Sequence, residues 1–109
     1  MKENYSNPTE ATLDRIGGKW KTAILCILAE QGAMRNGEMK RELTPITQKM
    51  LTQQLKELEA DGLILRTVFP EVPVKVVYEL TESGWSLKTV LDPLCEWGKR
   101  FVKVDRRET

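Results

Sequence analysis

The chain has 109 residues, 40% of them hydrophobic and 30% charged, with a formal net charge of +1; these proportions suit one small globular domain, residues 1–109, with a single core. It has no histidine, and Cys26 and Cys95 lie far apart without a CxxC spacing, so a zinc site and histidine-based catalysis are excluded and a non-enzyme without metal or cofactor is expected. The longest apolar block, AILCILA from Ala23 to Ala29, falls far short of the ~20 residues of a membrane span, and the opening MKENYSNPTE lacks the layout of a secretory signal; a cytoplasmic protein with no membrane partner is expected.

Taken in chain order, Pro8 and Thr9 open a short helix over Glu10–Ile16, which Gly17-Gly18 ends. That glycine pair precedes Lys19 but lacks the spacing of a phosphate-binding loop. A second helix runs from Trp20 to Gln31 and stops at Gly32, with Trp20, Ala23, Ile24, Ile27 and Leu28 at core spacing. Cys26 sits inside this block, and an inert buried thiol is its expected state. Ala33–Arg35 is a candidate short strand. Asn36 is the expected N-cap of a helix over Gly37–Leu43, with Met39 and Leu43 turned to the core.

Thr44-Pro45-Ile46 makes a turn, because proline cannot continue the preceding helix. Thr47 then caps a helix that runs to about Asp61 and ends at Gly62. Leu51, Leu55 and Leu58 form one stripe of this helix; Lys49, Gln53 and Lys56 fall opposite, with Thr52 on the flank and Gln48 near the front. Two helices joined by a tight turn, the second carrying donors able to reach bases and phosphates, follow helix-turn-helix logic, over about residues 36–61. Leu63–Phe69 and Val74–Leu80 read as the two strands of a wing spanning about 63–80, with Val74, Val76, Tyr78 and Leu80 on one face. Pro70-Glu71-Val72-Pro73 forms its tip, flanked by Arg66 and Lys75, which are candidates for phosphate or minor-groove contact or else charges decorating a hairpin.

Thr81 is the expected N-cap of a C-terminal helix over about 82–104, which Pro93 should kink or divide. Leu87, Val90, Leu91, Leu94, Trp97 and Phe101 form an apolar stripe along it. The surplus of Leu and Trp near a terminus points to a partner surface, most simply a second copy of the chain, with burial inside the monomer as the alternative. The tail DRRET from Asp105 is expected to fray.

Charge is unevenly spread. From Arg15 to Lys56 there are eight basic residues (Arg15, Lys19, Lys21, Arg35, Lys40, Arg41, Lys49 and Lys56) against Glu30, Glu38 and Glu42, a balance of +5; each end contributes −2. A protein with one DNA-facing side shows such asymmetry, although ordinary solvated helix faces also produce it.

The run Leu13-Asp14-Arg15-Ile16-Gly17-Gly18-Lys19-Trp20 resembles the LDxIGGKW signature of HxlR-type winged helix-turn-helix regulators, within the MarR-like superfamily. Further matches follow in order at Ile46–Leu55, Leu58–Leu63, Tyr78–Thr81 and Leu94–Gly98, so the resemblance covers roughly Pro8 to Gly98. It implies a mainly α (α+β) winged helix and a bacterial homodimeric transcription factor paired through its terminal helices. Thr47, Gln48, Lys49, Thr52, Gln53 and Lys56 would face DNA from the recognition helix, Arg66 and Lys75 from the wing, and Arg35, Lys40 and Arg41 would meet phosphate. Leu13, Leu87, Leu91, Leu94, Trp97 and Phe101 would form the dimer interface. The expected function is sequence-specific binding of a double-stranded operator, an inverted repeat, chiefly in repression, with the protein at the nucleoid when bound.

Many relatives carry a cysteine just before the proline that opens the first helix, and in some it senses oxidants or electrophiles; here that place is Asn7, so a switch of that design is absent. Cys95 falls among Leu94 and Trp97, and packing is its expected role. The alternative function is a winged-helix protein-interaction module without DNA binding, which would show apolar or acidic residues where Lys49, Gln53 and Lys56 stand. A regulator with an unidentified small-molecule effector would need a pocket; Tyr78, Trp85 and Trp97 are the aromatic candidates for lining it, although core or dimer packing also accounts for them.

Overall fold

The computed structural model describes residues 4–102. Its elements are α1 (Pro8–Ile16), α2 (Lys21–Gln31), α3 (Asn36–Glu42), α4 (Gln48–Ala60), β1 (Ile64–Phe69), β2 (Lys75–Leu80), α5 (Glu82–Ser86) and α6 (Lys88–Phe101). This is a mainly helical winged helix-turn-helix.

Local chemistry sets most boundaries. Asn7 caps α1, its Oδ1 accepting from the Glu10 N–H at 2.8 Å, and Pro8 occupies the first turn, where a missing amide costs nothing. Thr47 caps α4 through the Met50 N–H at 3.1 Å. Gly62, at φ 75°, turns the chain out of α4 in a conformation that strongly favours glycine. Asn36 is not the cap of α3 but its first residue. The cap position belongs to Arg35, whose N–H donates to the Glu38 carboxylate at 2.8 Å. The short strand expected at Ala33–Arg35 is a single bridge, Met34 to Tyr78.

The core forms where the apolar sides of α2 and α4 meet the base of the wing. Ile24, Leu25 and Leu28 of α2 and Leu51, Leu55 and Leu58 of α4 are at most 2% exposed, and Ile16, Met39, Ile46, Ile64, Leu80 and Leu91 close around them. Truncating any of the leucines to alanine would cost about 2–5 kcal/mol. Cys26, by contrast, is exposed. It projects from α2 nearly opposite Ile24 and Leu28, so the expectation of a buried thiol is corrected.

β1 and β2 pair antiparallel with Arg66 opposite Tyr78 and Phe69 opposite Lys75. Because side chains alternate along a strand, Arg66 lies on the face that carries Ile64, Tyr78 and Leu80, whereas Lys75 lies on the other, with Val77 and Glu79. Val74 is outside the strand and 63% exposed.

The C-terminal helix is interrupted at Leu87, not at Pro93. There the Leu87 N–H bonds to the Gly84 carbonyl and the Val90 N–H to the Leu87 carbonyl, a tightened turn between α5 and α6. α5 is pinned to the end of α4: the Thr81 hydroxyl donates to the Gly62 carbonyl at 2.6 Å and accepts from the Gly84 N–H at 3.0 Å. α6 then turns to lay Leu87 and Leu91 on the core. Pro93 is tolerated within it because the Thr89 carbonyl it leaves unbonded belongs to an exposed turn. Val102 is extended after Phe101, and the expected continuation to Val104 and the tail from Asp105 lie outside the described residues.

A Cβ on buried Gly84 would overlap the Leu63 carbonyl oxygen, whereas one on Gly37 would meet nothing within 4 Å. Gly84→Ala is therefore expected to lower unfolding free energy by about 1–3 kcal/mol through overpacking, and Gly37→Ala to leave it unchanged or slightly raised. Urea denaturation of the two variants checks this.

Candidate nucleic-acid interface

The polar side of α4 is a shallow open groove lined by Gln48, Lys49, Thr52, Gln53, Lys56 and Glu57. Gln48, Lys49, Gln53 and Lys56 are exposed and Thr52 is half-buried. The groove is internally braced. The Gln48 side-chain amide donates to Asn36 Oδ1 at 2.9 Å and to Thr52 Oγ1 at 3.1 Å, joining the first residues of α3 and α4. Gln53 donates to Glu57 at 2.9 Å. Thr47 lies at the head of the groove with its hydroxyl engaged in capping.

Glu57 is a site residue that sequence reasoning missed. Its carboxylate accepts from Gln53 on the groove side and from the buried Lys21 ammonium at 2.7 Å on the core side. The Gln53 hydrogen bond, followed by that of Lys21, holds the Glu57 carboxyl below the usual carboxylate range. The spacing of four between Gln53 and Glu57 was the available signal.

Lys21 also corrects the charge count, being 6% exposed and bound internally. Arg15 is half-buried, 3.7 Å from Asp61 and within hydrogen-bond distance of Tyr5. The other six basic residues in the segment from Arg15 to Lys56, namely Lys19, Arg35, Lys40, Arg41, Lys49 and Lys56, are exposed.

A second open groove runs between the start of α3 and the outer face of the wing. Arg35, Arg41 and Lys75 line it together with Glu38, Phe69 and Glu79, and the Lys75 ammonium lies 5.2 Å from the centre of the Phe69 ring. Arg35 and Lys75 are thus brought together, with Arg41 beside them. Arg66 is not: its strand position turns it to the opposite face. Lys40 is exposed on α3 and lines neither groove.

The residues expected at a dimer contact divide into two sets. Leu91 is 8% exposed and Leu87 packs beside it, so both belong to the chain's own core. Leu13, Leu94, Trp97 and Phe101 are 54%, 53%, 59% and 62% exposed, and Val90, Val102 and Trp85 are also open. Trp97 and Phe101 contact each other with ring centroids 5.1 Å apart. Of the aromatic residues considered for an effector pocket, Tyr78 packs on the core and Trp85 and Trp97 are exposed.

Residues 15–106 match the pattern of the HxlR-like helix-turn-helix family. The chain belongs to that family. It is 56% identical over 101 residues to the HTH-type transcriptional regulator YtcD of Bacillus subtilis (strain 168), covering 93% of this chain and 79% of the relative. A regulator from Methanothermobacter thermautotrophicus is 50% identical over 99 residues, 91% of this chain and 75% of the relative. Among solved structures, that of ytcD superposes with a TM-score of 0.83 at 55% identity over 88% of this chain and 97% of that one. The redox regulator HypR in its oxidized form gives 0.82 at 46% identity over 90% and 100%. This HxlR-type protein is a DNA-binding transcriptional regulator of winged helix-turn-helix form.

Removing Glu57 takes away the carboxylate 2.7 Å from the largely buried Lys21 ammonium. Glu57→Ala should cost up to about 3 kcal/mol, the low end for a broken buried pair, because the Glu57 side chain is 40% exposed and screened by water. Lys21→Met in that background should recover most of the loss. The wild-type contribution of Glu57 is complete above the ordinary carboxylate range and disappears as pH falls through its lowered native value. Denaturation of the single and double variants near neutrality and in acid measures both effects.

Proposed function

We propose that two copies of this regulator pair about a two-fold axis and read an inverted-repeat operator in double-stranded DNA, repressing transcription where the operator overlaps a promoter. The groove on α4 is the observation that carries this reading: Gln48, Lys49, Thr52, Gln53 and Lys56 line one open surface, on the side of the helix away from the buried leucine seam. Side chains of these types donate to base edges and phosphates in a major groove. Residues 36–61 act as the helix-turn-helix, 63–80 as the wing and 82–104 as the dimerisation segment.

Lys49 and Gln53 take base edges, together with Gln48 and Thr52. Gln48 gives up its bond to Asn36 to do so, which makes it the costlier reader. Lys56, Arg35, Lys40 and Lys75 neutralise phosphate, with Arg41 added from the second groove. Thr47 contributes mainly through its cap, and Arg66 contacts DNA only from the inner face of the wing. Recognition helices of the two subunits sit ~34 Å apart, one turn of B-DNA. The pairing surface is formed by Leu13, Leu94, Trp97 and Phe101, with Leu87 and Leu91 supporting it from the core. No helix among the described residues is long and apolar enough to cross a membrane, and the reading places the protein in the cytoplasm at the nucleoid. It requires neither a catalytic residue nor a cofactor.

Selection of bound duplexes from random sequence supplies the operator for two tests. Lys49→Ala and Gln53→Ala should each weaken operator binding by about 1–3 kcal/mol with the circular dichroism spectrum unchanged; wild-type affinity in both would overturn the recognition face. Trp97→Ala should shift the mass seen in light scattering from dimer toward monomer. A wild-type monomer, or a variant that remains fully dimeric, would remove Trp97 from the interface.

A further inference from the structure

Cys26 and Cys95 are the chemically reactive groups that DNA reading leaves unused. Cys26 on α2 and Cys95 on α6 line one cavity of about 130 Å³, walled mainly by Leu25, Ala29, Leu80 and Leu91. Both thiols are free and exposed. Cys95 stands one turn after buried Leu91, so it faces α2, while Leu94, Trp97 and Phe101 project from another side of α6. The thiol pair therefore lies off the exposed apolar stripe. Among the described residues no group of three or more histidine, cysteine or acidic side chains is placed to hold a metal ion, so the pair suits reaction between its two sulfurs rather than metal capture.

We propose that Cys26 and Cys95 are a two-thiol oxidation site, which hydrogen peroxide or a related peroxide joins into an intramolecular disulfide tying α6 to α2. The thiolate of Cys95 attacks one peroxide oxygen; the O–O bond breaks, Cys95 becomes a sulfenic acid, and the departing hydroxide takes a proton to become water. Cys26 sulfur then attacks the sulfenyl sulfur. The S–S bond forms as the S–O bond breaks, and the oxygen leaves as a second water with the Cys26 proton. In total two thiols lose two electrons and two protons, and one peroxide is reduced to two waters.

The surroundings favour this order. Partial desolvation at the cavity wall, then Cys95 and the carboxylates of Glu30 and Asp92, push the Cys26 thiol up, with Lys88 opposing them weakly; the Lys88 ammonium is 2.6 Å from Asp92 and largely neutralised by it. A thiol that resists ionisation is the poorer first nucleophile toward peroxide, which suits Cys26 to the resolving step. A finished disulfide needs Cα atoms about 4.4–6.8 Å apart. The two cysteines line one small cavity between α2 and α6, and closure brings their Cα atoms within that range.

The full chain, treated with hydrogen peroxide, unfolded in N-ethylmaleimide and examined by intact mass and non-reducing gel, tests this. Support is a monomeric species lighter by two hydrogens that takes no maleimide and, after reduction, takes two. Retention of both maleimide sites, chains linked to each other, or sulfinic and sulfonic products alone would overturn it. In Cys26→Ser, dimedone should trap a Cys95 sulfenic acid; stronger trapping in Cys95→Ser would reverse the order of attack. The wild-type mass stands whether or not either variant folds, and it is independent of the operator experiments.

Discussion

A single buried ammonium group constrains how the polar face of α4 is presented. Lys21 is 6% exposed, where an unpaired charge is costly, and its carboxylate partner Glu57 comes from α4. A seam of leucines holds α4 against α2 but leaves some freedom in packing, because ridge-and-groove contacts scatter by about 15–20°. An ion pair between the two helices is directional and narrows that freedom. Glu57 sits beside the Leu55–Leu58 seam and also accepts from Gln53. The same carboxylate thus fixes the roll of α4 and orients a side chain on its opposite flank.

The remaining elements are placed by hydrogen bonds that start from α4 and its flanking turns. At its front, Gln48 joins Asn36, so the α3–α4 turn closes as a unit and the two open grooves become neighbours through the start of α3. At its end, Leu63 N–H returns to the Leu58 carbonyl, and Thr81 spans from Gly62 to Gly84. The hairpin is held between these ties and the reciprocal Met34–Tyr78 bonds of 2.9 and 2.8 Å. Lys75 consequently keeps company with Arg35 without any direct bond between them.

What was legible in the sequence was what periodicity encodes. The leucine seam, the turn at Pro45, the caps at Thr47 and Thr81 and the hairpin with its proline tip all follow from local chemistry, and the structure has them. Lys21 was illegible because its burial depends on a carboxylate far along the chain; alone it counts as one more surface charge. Cys26 was hidden by composition: α2 is apolar on several sides, and membership of AILCILA concealed that residue 26 projects away from Ile24 and Leu28. The break at Leu87 was missed because proline is the obvious local breaker, whereas the break arises from two tertiary anchors, Gly84 on Leu63 and Leu91 on the core. Arg66 and Lys75 looked equivalent beside the tip until register assigned them to opposite faces.

α6 shows why the candidate sites are separable. One side completes the core through Leu87 and Leu91, a second presents Cys95 to the cavity beside α2, and a third leaves Val90, Leu94, Trp97 and Phe101 open. An aromatic pair more than half exposed on a small domain is an unfavourable surface for a monomer and a natural one for a partner. The proposed pairing would also answer a deficit on the DNA side. With Lys21 buried against Glu57 and Arg15 beside Asp61, each chain offers fewer unpaired cations than its sequence suggests, and Glu57 adds a negative charge to the edge of the groove. Attraction to DNA depends on how many phosphates are neutralised together. In the proposed dimer, two copies on one duplex would double that number without adding a charge to either chain, so the internal use of Lys21 and the open stripe on α6 would be complementary consequences of one small fold.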